Sequence, residues 1–150
     1  MAIHRGKMKK APAKEVVDYL IRPAIETDLQ RSYQTLLDIN KAHVLMLYKQ
    51  GHIKQHVASD ILKVTQEIAA MQDHPEFEIN PDVEDLFFNF ERYLIAKTSI
   101  DVGGQQHTAR SRNDVFATEV RYDTRRYFLT VCEHFNQLRA DLLALARANT

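Results

Sequence analysis

The sequence holds few of the residues that interrupt or cross-link a chain. Its 150 residues include four Gly, four Pro and one Cys, Cys132. A lone cysteine excludes an internal disulfide and supplies too few thiols for a structural zinc site, which fits a reducing compartment such as the cytoplasm. Because Gly and Pro are scarce, long helices are favoured over strands and turns, and we predict an all-α protein.

Net charge and long apolar runs are missing as well. Lys plus Arg and Asp plus Glu number 20 each, so no bulk field attracts nucleic acid or an anionic membrane, and neither is expected as a partner. No apolar run approaches the ~18 residues that suggest a membrane span. The basic residues 1–14 lack the apolar core of a secretory signal and are predicted to form a flexible arm. Because the formal net charge is zero, any anion binding must come from a local arrangement of residues.

The positions of Pro and Gly, together with apolar periodicity, predict helices along the chain. Pro23 is expected to stop the first helix, Gly51 to end the second and Pro81 to begin the fourth. The predicted helices cover about 14–22, 28–50, 54–71, 81–97 and 112–150. At ~1.5 Å per residue the last would be roughly 55 to 60 Å long, so it requires partner helices. We therefore predict an N-terminal helical domain, 1–111, and the start of a long central-bundle helix, 112–150, that self-associates.

Apolar residues at three- and four-residue steps mark the face that each helix is expected to bury. On the second to fourth helices this face comprises Leu36, Leu37, Asn40, Val44, Leu47, Val57, Ile61, Val64, Ile68, Leu86, Phe90, Tyr93 and Leu94. On the long helix the stripe comprises Phe116, Val120, Tyr127, Val131, Leu138, Leu142 and Leu145. The aromatic cluster within 87–93 is assigned to the core or to a subunit interface, because no basic stripe interleaves it.

Residues 101–114, DVGGQQHTARSRND, are predicted to form a polar loop that runs into the long helix. Ser111 and Asp114 have the S-x-x-D spacing of a capping box, in which each side chain accepts a hydrogen bond from the other residue's backbone N–H. Asp114 would also complement the helix dipole. This pair is therefore expected to fix the start of the long helix.

The same helix start carries the residue types that bind anions. Free N–H groups are flanked by Arg110 and Arg112 and by the short donors Thr108, Ser111 and Asn113. Such an arrangement suits a carboxylate or phosphate. The alternative interpretation is a capped helix whose arginines are solvated, and the pattern alone does not decide between the two.

A second polar group lies on the fourth predicted helix. Asp85, Asn89 and Arg92 are spaced i, i+4 and i+7, so they form a polar stripe that either faces a cleft or is solvated. Glu91 lies off that stripe, where it is positioned to orient the loop arginines.

The histidines fall into two classes. His52 and His56 share a helical face at a spacing that metal sites use, but no third ligand accompanies them, so a solvated pair is expected and no metal site is predicted. His107 lies inside the anion loop, where its imidazole either donates to a carboxylate or fastens the loop backbone.

Two ordered motifs resemble a known family. Residues 104–114, GQQHTARSRND, resemble the GKLHTGRSRND signature of argininosuccinate lyases and delta-crystallins, in the fumarase and aspartase superfamily. Residues 84–94, EDLFFNFERYL, resemble the EDIHxNIExxL helix at the same distance before that signature. Residues 42–43 and 49–51 resemble the end of the family's preceding helix, and the likeness covers about 25–150.

The resemblance implies part of a carbon–nitrogen lyase that reversibly eliminates an amine or guanidine, such as arginine, from an N-succinyl compound to give fumarate. In the family, three regions from three subunits of a homotetramer build each active site without a cofactor, and this chain matches the first region. Ser111, Arg112 and Asn113 match the residues that hold the fumaryl carboxylates, and Asp85 and Asn89 match polar positions of the same cleft. The predicted substrate-binding residues are Ser111, Arg112, Asn113, Asp85, Asn89, His107 and Thr108.

The chain also departs from the family pattern. Ala109 stands where the family has Gly, Val115 where it has Gln, and Phe87 where it has His. The N-terminal WGGRF-type segment is missing, and the family's early serine falls near Ala24. These differences keep another N-succinyl compound open as the substrate.

Two further family regions have no counterpart here. No segment resembles the T-H-x-Q histidine region or the G-S-S-x-M-P-x-K-x-N-P loop that supplies the catalytic serine. We therefore expect a fragment or one part of a split product that does not catalyse elimination alone. The alternative is a non-catalytic helical protein, either a crystallin-like relative or an interaction module that assembles through the long helix.

Overall fold

The computed structural model describes residues 12–72 and 74–149, so most of the predicted N-terminal arm lies outside the described residues. Within those ranges the chain forms helices and turns and no strand, which confirms the all-α class. The α-helices are α1 (Lys14–Val16), α2 (Arg22–Arg31), α3 (Tyr33–Lys49), α4 (Gln55–Ala70), α5 (Leu86–Lys97), α6 (Ile100–Gly103) and α7 (Arg112–Ala148). A π-helical turn covers Val17–Ile21, and 3-10 turns cover Pro81–Val83 and Gly104–His107. Of the helices so described, none is both long and apolar enough to cross a membrane.

The prediction that Pro23 stops the first helix is wrong. The helical path runs from α1 through the π-helical turn into α2, and it breaks at Ser32 instead. Pro23 lies in the first turn of α2, where its missing N–H is tolerated, and the wider π-helical turn precedes its ring. The second predicted helix consequently begins at Tyr33 and not at residue 28.

Gly51 ends α3 as predicted. Its φ is +75°, in the left-handed region that glycine adopts without steric cost. The N–H of His52 donates to the carbonyl of Leu47 at 2.9 Å, and the N–H of Gly51 donates to the carbonyl of Tyr48 at 3.0 Å. These two bonds form a Schellman motif, which satisfies carbonyls that the end of a helix would otherwise leave unpaired.

The prediction that Pro81 begins the fourth helix is also wrong. Pro81 opens a 3-10 turn, and Glu84, with a φ of +76°, separates that turn from α5. Helix α5 begins at Leu86 because the carboxylate of Asp85 accepts a hydrogen bond from the N–H of Phe88 at 2.8 Å. An N-cap of this kind contributes about 1 kcal/mol to helix stability. Asp85 is thus fixed in place by the start of its own helix.

The core lies where α3, α4 and α5 meet. The apolar faces predicted for these helices are buried, with Tyr93 packed at the margin of the core. Tyr33 packs edge to face on Phe90 with ring centroids 5.0 Å apart, and its hydroxyl donates to the carbonyl of Ile68 at 2.6 Å. Each fully buried Leu, Ile or Phe side chain contributes about 1.5 to 3 kcal/mol. This core is the rigid support for the polar residues at the start of α5.

Helix α7 contacts the core helices over its first three turns, as far as Asp123, which accepts a hydrogen bond from Thr35 at 2.9 Å. It has 37 residues, which corresponds to roughly 55 Å at 1.5 Å per residue. Val115 and Glu119 are its buried residues, whereas the apolar side chains farther along are exposed. The exposed members of the predicted stripe are Val120, Tyr127, Val131, Leu138, Leu142 and Leu145.

Residues 101–114 are more ordered than the predicted loop. Helix α6 and a 3-10 turn occupy 100–107, and the turn that follows leads directly into α7. Ala109 in that turn has a φ of +59°, which an L-amino acid adopts at a cost of about 1 to 2 kcal/mol. The signature that this segment resembles has glycine at the same position. The turn is therefore strained in this chain.

Replacing Ala109 by Gly is expected to raise the free energy of unfolding by about 0.5 to 1 kcal/mol, because glycine adopts a positive φ without the Cβ contact. Urea denaturation of the two proteins measures the difference. Ala117→Gly, at an exposed position inside α7, is the control and should lower stability by about 1 kcal/mol. Equal losses in the two variants would contradict a strained turn at Ala109.

Candidate functional site

The predicted capping box is present at the start of α7. The N–H of Ser111 donates to Asp114 Oδ2 at 2.7 Å, and the N–H of Asp114 lies 3.4 Å from Ser111 Oγ. The bond from the Ser111 backbone lowers the pKa of the Asp114 carboxyl, with help from the Ser111 side chain and Arg110. The carboxylate therefore stays charged where the helix dipole favours negative charge. Ser111 and Asn113 are exposed on either side of the first residue of α7.

Arg112 joins the start of α7 to the start of α5. Its Nη1 donates to Asp85 Oδ2 and to Glu84 Oε2, both at 3.0 Å. The Asp85 side chain is 10% exposed and the Arg112 side chain 37%, so their pair is the better shielded of the two. Asp85 Oδ1 is already held by the N–H of Phe88. One carboxylate thus caps α5 and fixes the guanidinium of α7.

The plane of the Arg112 guanidinium is confined by aromatic rings. Its Cζ lies 5.7 Å from the centroid of Phe88 and 5.4 Å from that of Phe116, within the range of a cation–π contact. Both carboxylates meet Nη1, and no acceptor from the described residues meets Nη2 or Nε. Because a guanidinium presents its donors as a fixed fork, the remaining donors suit a carboxylate ligand.

The three members of the predicted polar stripe on α5 face different partners. Asp85 contacts Arg112, whereas Arg92 lies 3.8 Å from Glu78 Oε2 at the surface. Asn89 is buried, and its amide accepts from the N–H of Asn80 at 2.7 Å and donates to the carbonyls of Asn80 and Asp85. The Asn89 side chain therefore holds the turn before α5, with its oxygen and nitrogen both bonded to backbone.

His107 is fastened beneath the loop. Its Nδ1 lies 3.0 Å from Glu91 Oε1, and its ring is nearly parallel to Phe88 at an interplanar angle of 7°. Glu91 was expected to orient the loop arginines; its Oε1 contacts His107, and its charge opposes the lowering of the Arg110 pKa by burial. Thr108, the next residue, is exposed.

Arg110 is a half-buried cation that the sequence pattern did not distinguish from Arg112. Its Nη2 donates to Asn40 Oδ1, and its Cζ lies 5.4 Å from the centroid of Phe87. Its Nε and Nη1 are buried without a hydrogen-bond partner. Burial lowers the pKa of Arg110 to about 10, although the charges of Glu91 and Asp114 oppose that shift. The group remains charged at neutral pH beneath the loop.

Helix α3 supplies two residues that were missed as parts of this site. Asn40, placed in the predicted core stripe, is buried and bonds to Arg110, which lies 70 residues later. His43 Nε2 lies 2.9 Å from the carbonyl oxygen of Thr108, 65 residues later. A polar residue inside an apolar stripe, as Asn40 is, was the one available signal, because such residues require a partner when buried.

Two further carboxyls, those of Asp28 and Glu119, are near enough to Asp85 to feel its charge. Burial, together with the charges of Glu119 and Asp85, raises the pKa of Asp28 to about 6. Burial also raises the pKa of Glu119, against a hydrogen bond with Ser32 that lowers it.

The predicted residues therefore divide into groups. Asp85 and Arg112 are in direct contact, with Ser111 and Asn113 on both sides of Arg112 in sequence, and His107 and Asn89 face other partners. Among residues 12–72 and 74–149, no three His, Cys, Asp or Glu side chains are grouped so as to hold a metal ion. His52 and His56 are exposed.

Comparison with known proteins identifies the relatives of this chain. Argininosuccinate lyase 1 of Shouchella clausii is 40% identical over 145 residues, which is 97% of this chain and 29% of that protein. Argininosuccinate lyase of Methanocaldococcus jannaschii is 32% identical over 96% of this chain and 29% of its own length. That of Methanosarcina acetivorans is 31% identical over 99% of this chain and 29% of its own length. No solved structure gives a significant match.

These comparisons agree with the motifs. The chain spans somewhat under a third of the length of these curated relatives, since each match covers 29% of the relative. A family model described as Lyase matches residues 24–150, which includes most of α2, all of α3 to α7 and all the residues of the candidate site. The resemblance to argininosuccinate lyases is thereby confirmed, and the chain belongs to the lyase family.

Proposed function

We propose that this chain forms the carboxylate-binding part of the active site of an argininosuccinate-lyase-like enzyme. The reaction is the reversible elimination of an amine or guanidine from an N-succinyl compound to give fumarate. The observation that carries the proposal is the Arg112 guanidinium, held at Nη1 by Asp85 and Glu84, on the first residue of α7, with Ser111 and Asn113 before and after it in sequence. A fixed cation and backbone N–H groups at a helix start suit a substrate carboxylate.

The Arg112 guanidinium and the N–H groups at the start of α7 also suit the elimination reaction. Removal of a proton next to a carboxylate gives a carbanion whose charge spreads into that carboxylate, which becomes more negative in the transition state. Donors that are already oriented stabilise this developing charge more than the substrate's own charge. Asp85 and Glu84 orient Arg112, and Asn89 holds the turn on which both lie. His107 and Thr108 belong to the loop that borders the same helix start.

Binding by this chain alone is expected to be weak. The carboxylates of Glu84, Asp85 and Asp114 lie close to the two loop arginines and cancel much of their charge. A ligand therefore gains affinity from oriented hydrogen bonds and little from a general positive field. The other walls of the proposed site come from regions that this sequence does not contain, so its preorganisation is incomplete.

The exposed apolar stripe of α7 supports assembly into a homo-oligomer. An apolar face of this length is costly to leave in water, and long helices of this kind pack in bundles. We propose a tetramer for the full-length enzyme, with α7 as the start of its central bundle and the cytoplasm as its location. Residues 1–111 then form the N-terminal domain.

Titration of the chain with fumarate is expected to shift the backbone amide signals of residues 104–114, with saturation only at millimolar ligand. Arg112→Gln should weaken binding by about tenfold or more, since a charge-assisted hydrogen bond contributes about 1.5 to 3 kcal/mol. Arg125→Gln, an exposed change farther along α7, is the matched control and should bind like the parent. Unchanged amide signals at high millimolar fumarate would refute the proposed site.

The chain alone is expected not to release fumarate from argininosuccinate. Elimination needs a base for the proton and an acid for the nitrogen leaving group, and anion binding by itself supplies little rate. Turnover should arise after mixing with a polypeptide that supplies the missing histidine and serine regions, and Arg112→Gln should abolish it. Turnover by the isolated chain that depends on Arg112 would contradict this division of roles.

A further inference from the structure

The turn between the 3-10 turn and α7 is fastened to α3 at two points. His43 Nε2 contacts the carbonyl of Thr108, and Asn40 Oδ1 accepts from Arg110 Nη2. Ala109, with its positive φ, lies between these two contacts. A strained backbone conformation persists only when its surroundings hold it, and these contacts fix the residues on both sides.

The His43 contact has a defined chemical form. A carbonyl oxygen only accepts, so Nε2 carries the proton and donates it to Thr108. Burial lowers the pKa of His43, against the bond to Thr108, and the nearby Arg110 and His107 side chains lower it further. The imidazole is therefore neutral at pH 7, and its Nε2–H tautomer is the one that the carbonyl selects.

We propose that His43 is a positioning residue of the carboxylate-binding site, and that its Nε2–H, through the Thr108 carbonyl, sets the turn that places Ser111 and Arg112. This inference rests on the proposed function, in which the start of α7 binds the carboxylate of the substrate. His43 touches no reacting group. It acts through the three backbone residues between Thr108 and Arg112, whose conformation determines where α7 begins.

A contact of this kind matters more for placement than for overall stability. Most residues of the core belong to α3, α4 and α5, and they pack against one another. The capping box fixes the start of α7 relative to its own first turn, but it does not fix that turn against α3. The His43 and Asn40 contacts provide that second constraint. Loss of one of them should loosen the site while the fold remains.

The test uses His43→Leu, which removes the donor, and His43→Gln, whose amide N–H reaches the position of Nε2. His43→Leu should raise the fumarate Kd by about three- to tenfold and increase amide hydrogen exchange at residues 109–112, with little change in helix content. His43→Gln should restore both quantities to within about twofold of the parent. His56→Leu, an exposed change on α4, is the matched control and should alter neither.

The fumarate Kd and the amide hydrogen exchange of residues 109–112 distinguish failure of the positioning role from failure of the proposed function. If the parent binds fumarate and His43→Leu binds it equally well, the positioning role of His43 is wrong and the proposed function stands. If the parent does not bind fumarate, the function is wrong, and faster exchange at 109–112 in His43→Leu that Gln restores still supports the positioning role. Unchanged exchange in His43→Leu, or failure of Gln to restore it, overturns that role in either case.

Discussion

The pair between Asp85 and Arg112 is the interaction on which the arrangement of this site depends. Asp85 uses one carboxylate oxygen to cap α5 and the other to hold the guanidinium at the start of α7, 27 residues later. The first residues of α5 are part of the buried core, so Asp85 at its N-cap has a fixed position, and Arg112 is fixed through Asp85. The two aromatic rings beside the guanidinium restrict its plane. The Asp85 carboxylate therefore joins the start of the long helix to the core and orients its first cation, and Thr35 on α3 bonds to Asp123 farther along the same helix.

The loop before α7 contains two features that cost stability and that contacts with other parts of the chain hold in place. Its backbone is strained at Ala109, and it covers the half-buried, incompletely bonded cation of Arg110. Each of these features costs stability, of the order of 1 to 3 kcal/mol. Both are held by polar contacts with α3 and with Glu91, through Asn40, His43 and His107. Strain of this kind is typical of segments whose shape serves binding.

Short-range features of this protein could be predicted from the sequence, and long-range ones could not. The capping box at Ser111 depends on residues three apart, and the end of α3 depends on Gly51, so local spacing was sufficient. Pro23 was misassigned because a proline fits the first turn of a helix as readily as it ends one. Pro81 was misassigned because the element that it opens is a 3-10 turn, which Glu84 separates from α5. The contacts of α3 with the loop join residues 65 and 70 positions apart, and no local spacing encodes them.

A double-mutant cycle between Asp85 and Arg112 tests this account most directly. Asp85→Asn keeps an N-cap while it removes the charge, and Arg112→Gln removes the other charge. Unfolding free energies of the parent, the two single variants and the double variant should give a coupling energy of about 1 to 2 kcal/mol, as for a partly buried charged hydrogen bond. The same cycle with Glu84→Gln, at the more exposed carboxylate, should give less than about 0.5 kcal/mol. A coupling between Asp85 and Arg112 that is no larger than the Glu84 value would contradict the claim that their pair fixes α7 to the core.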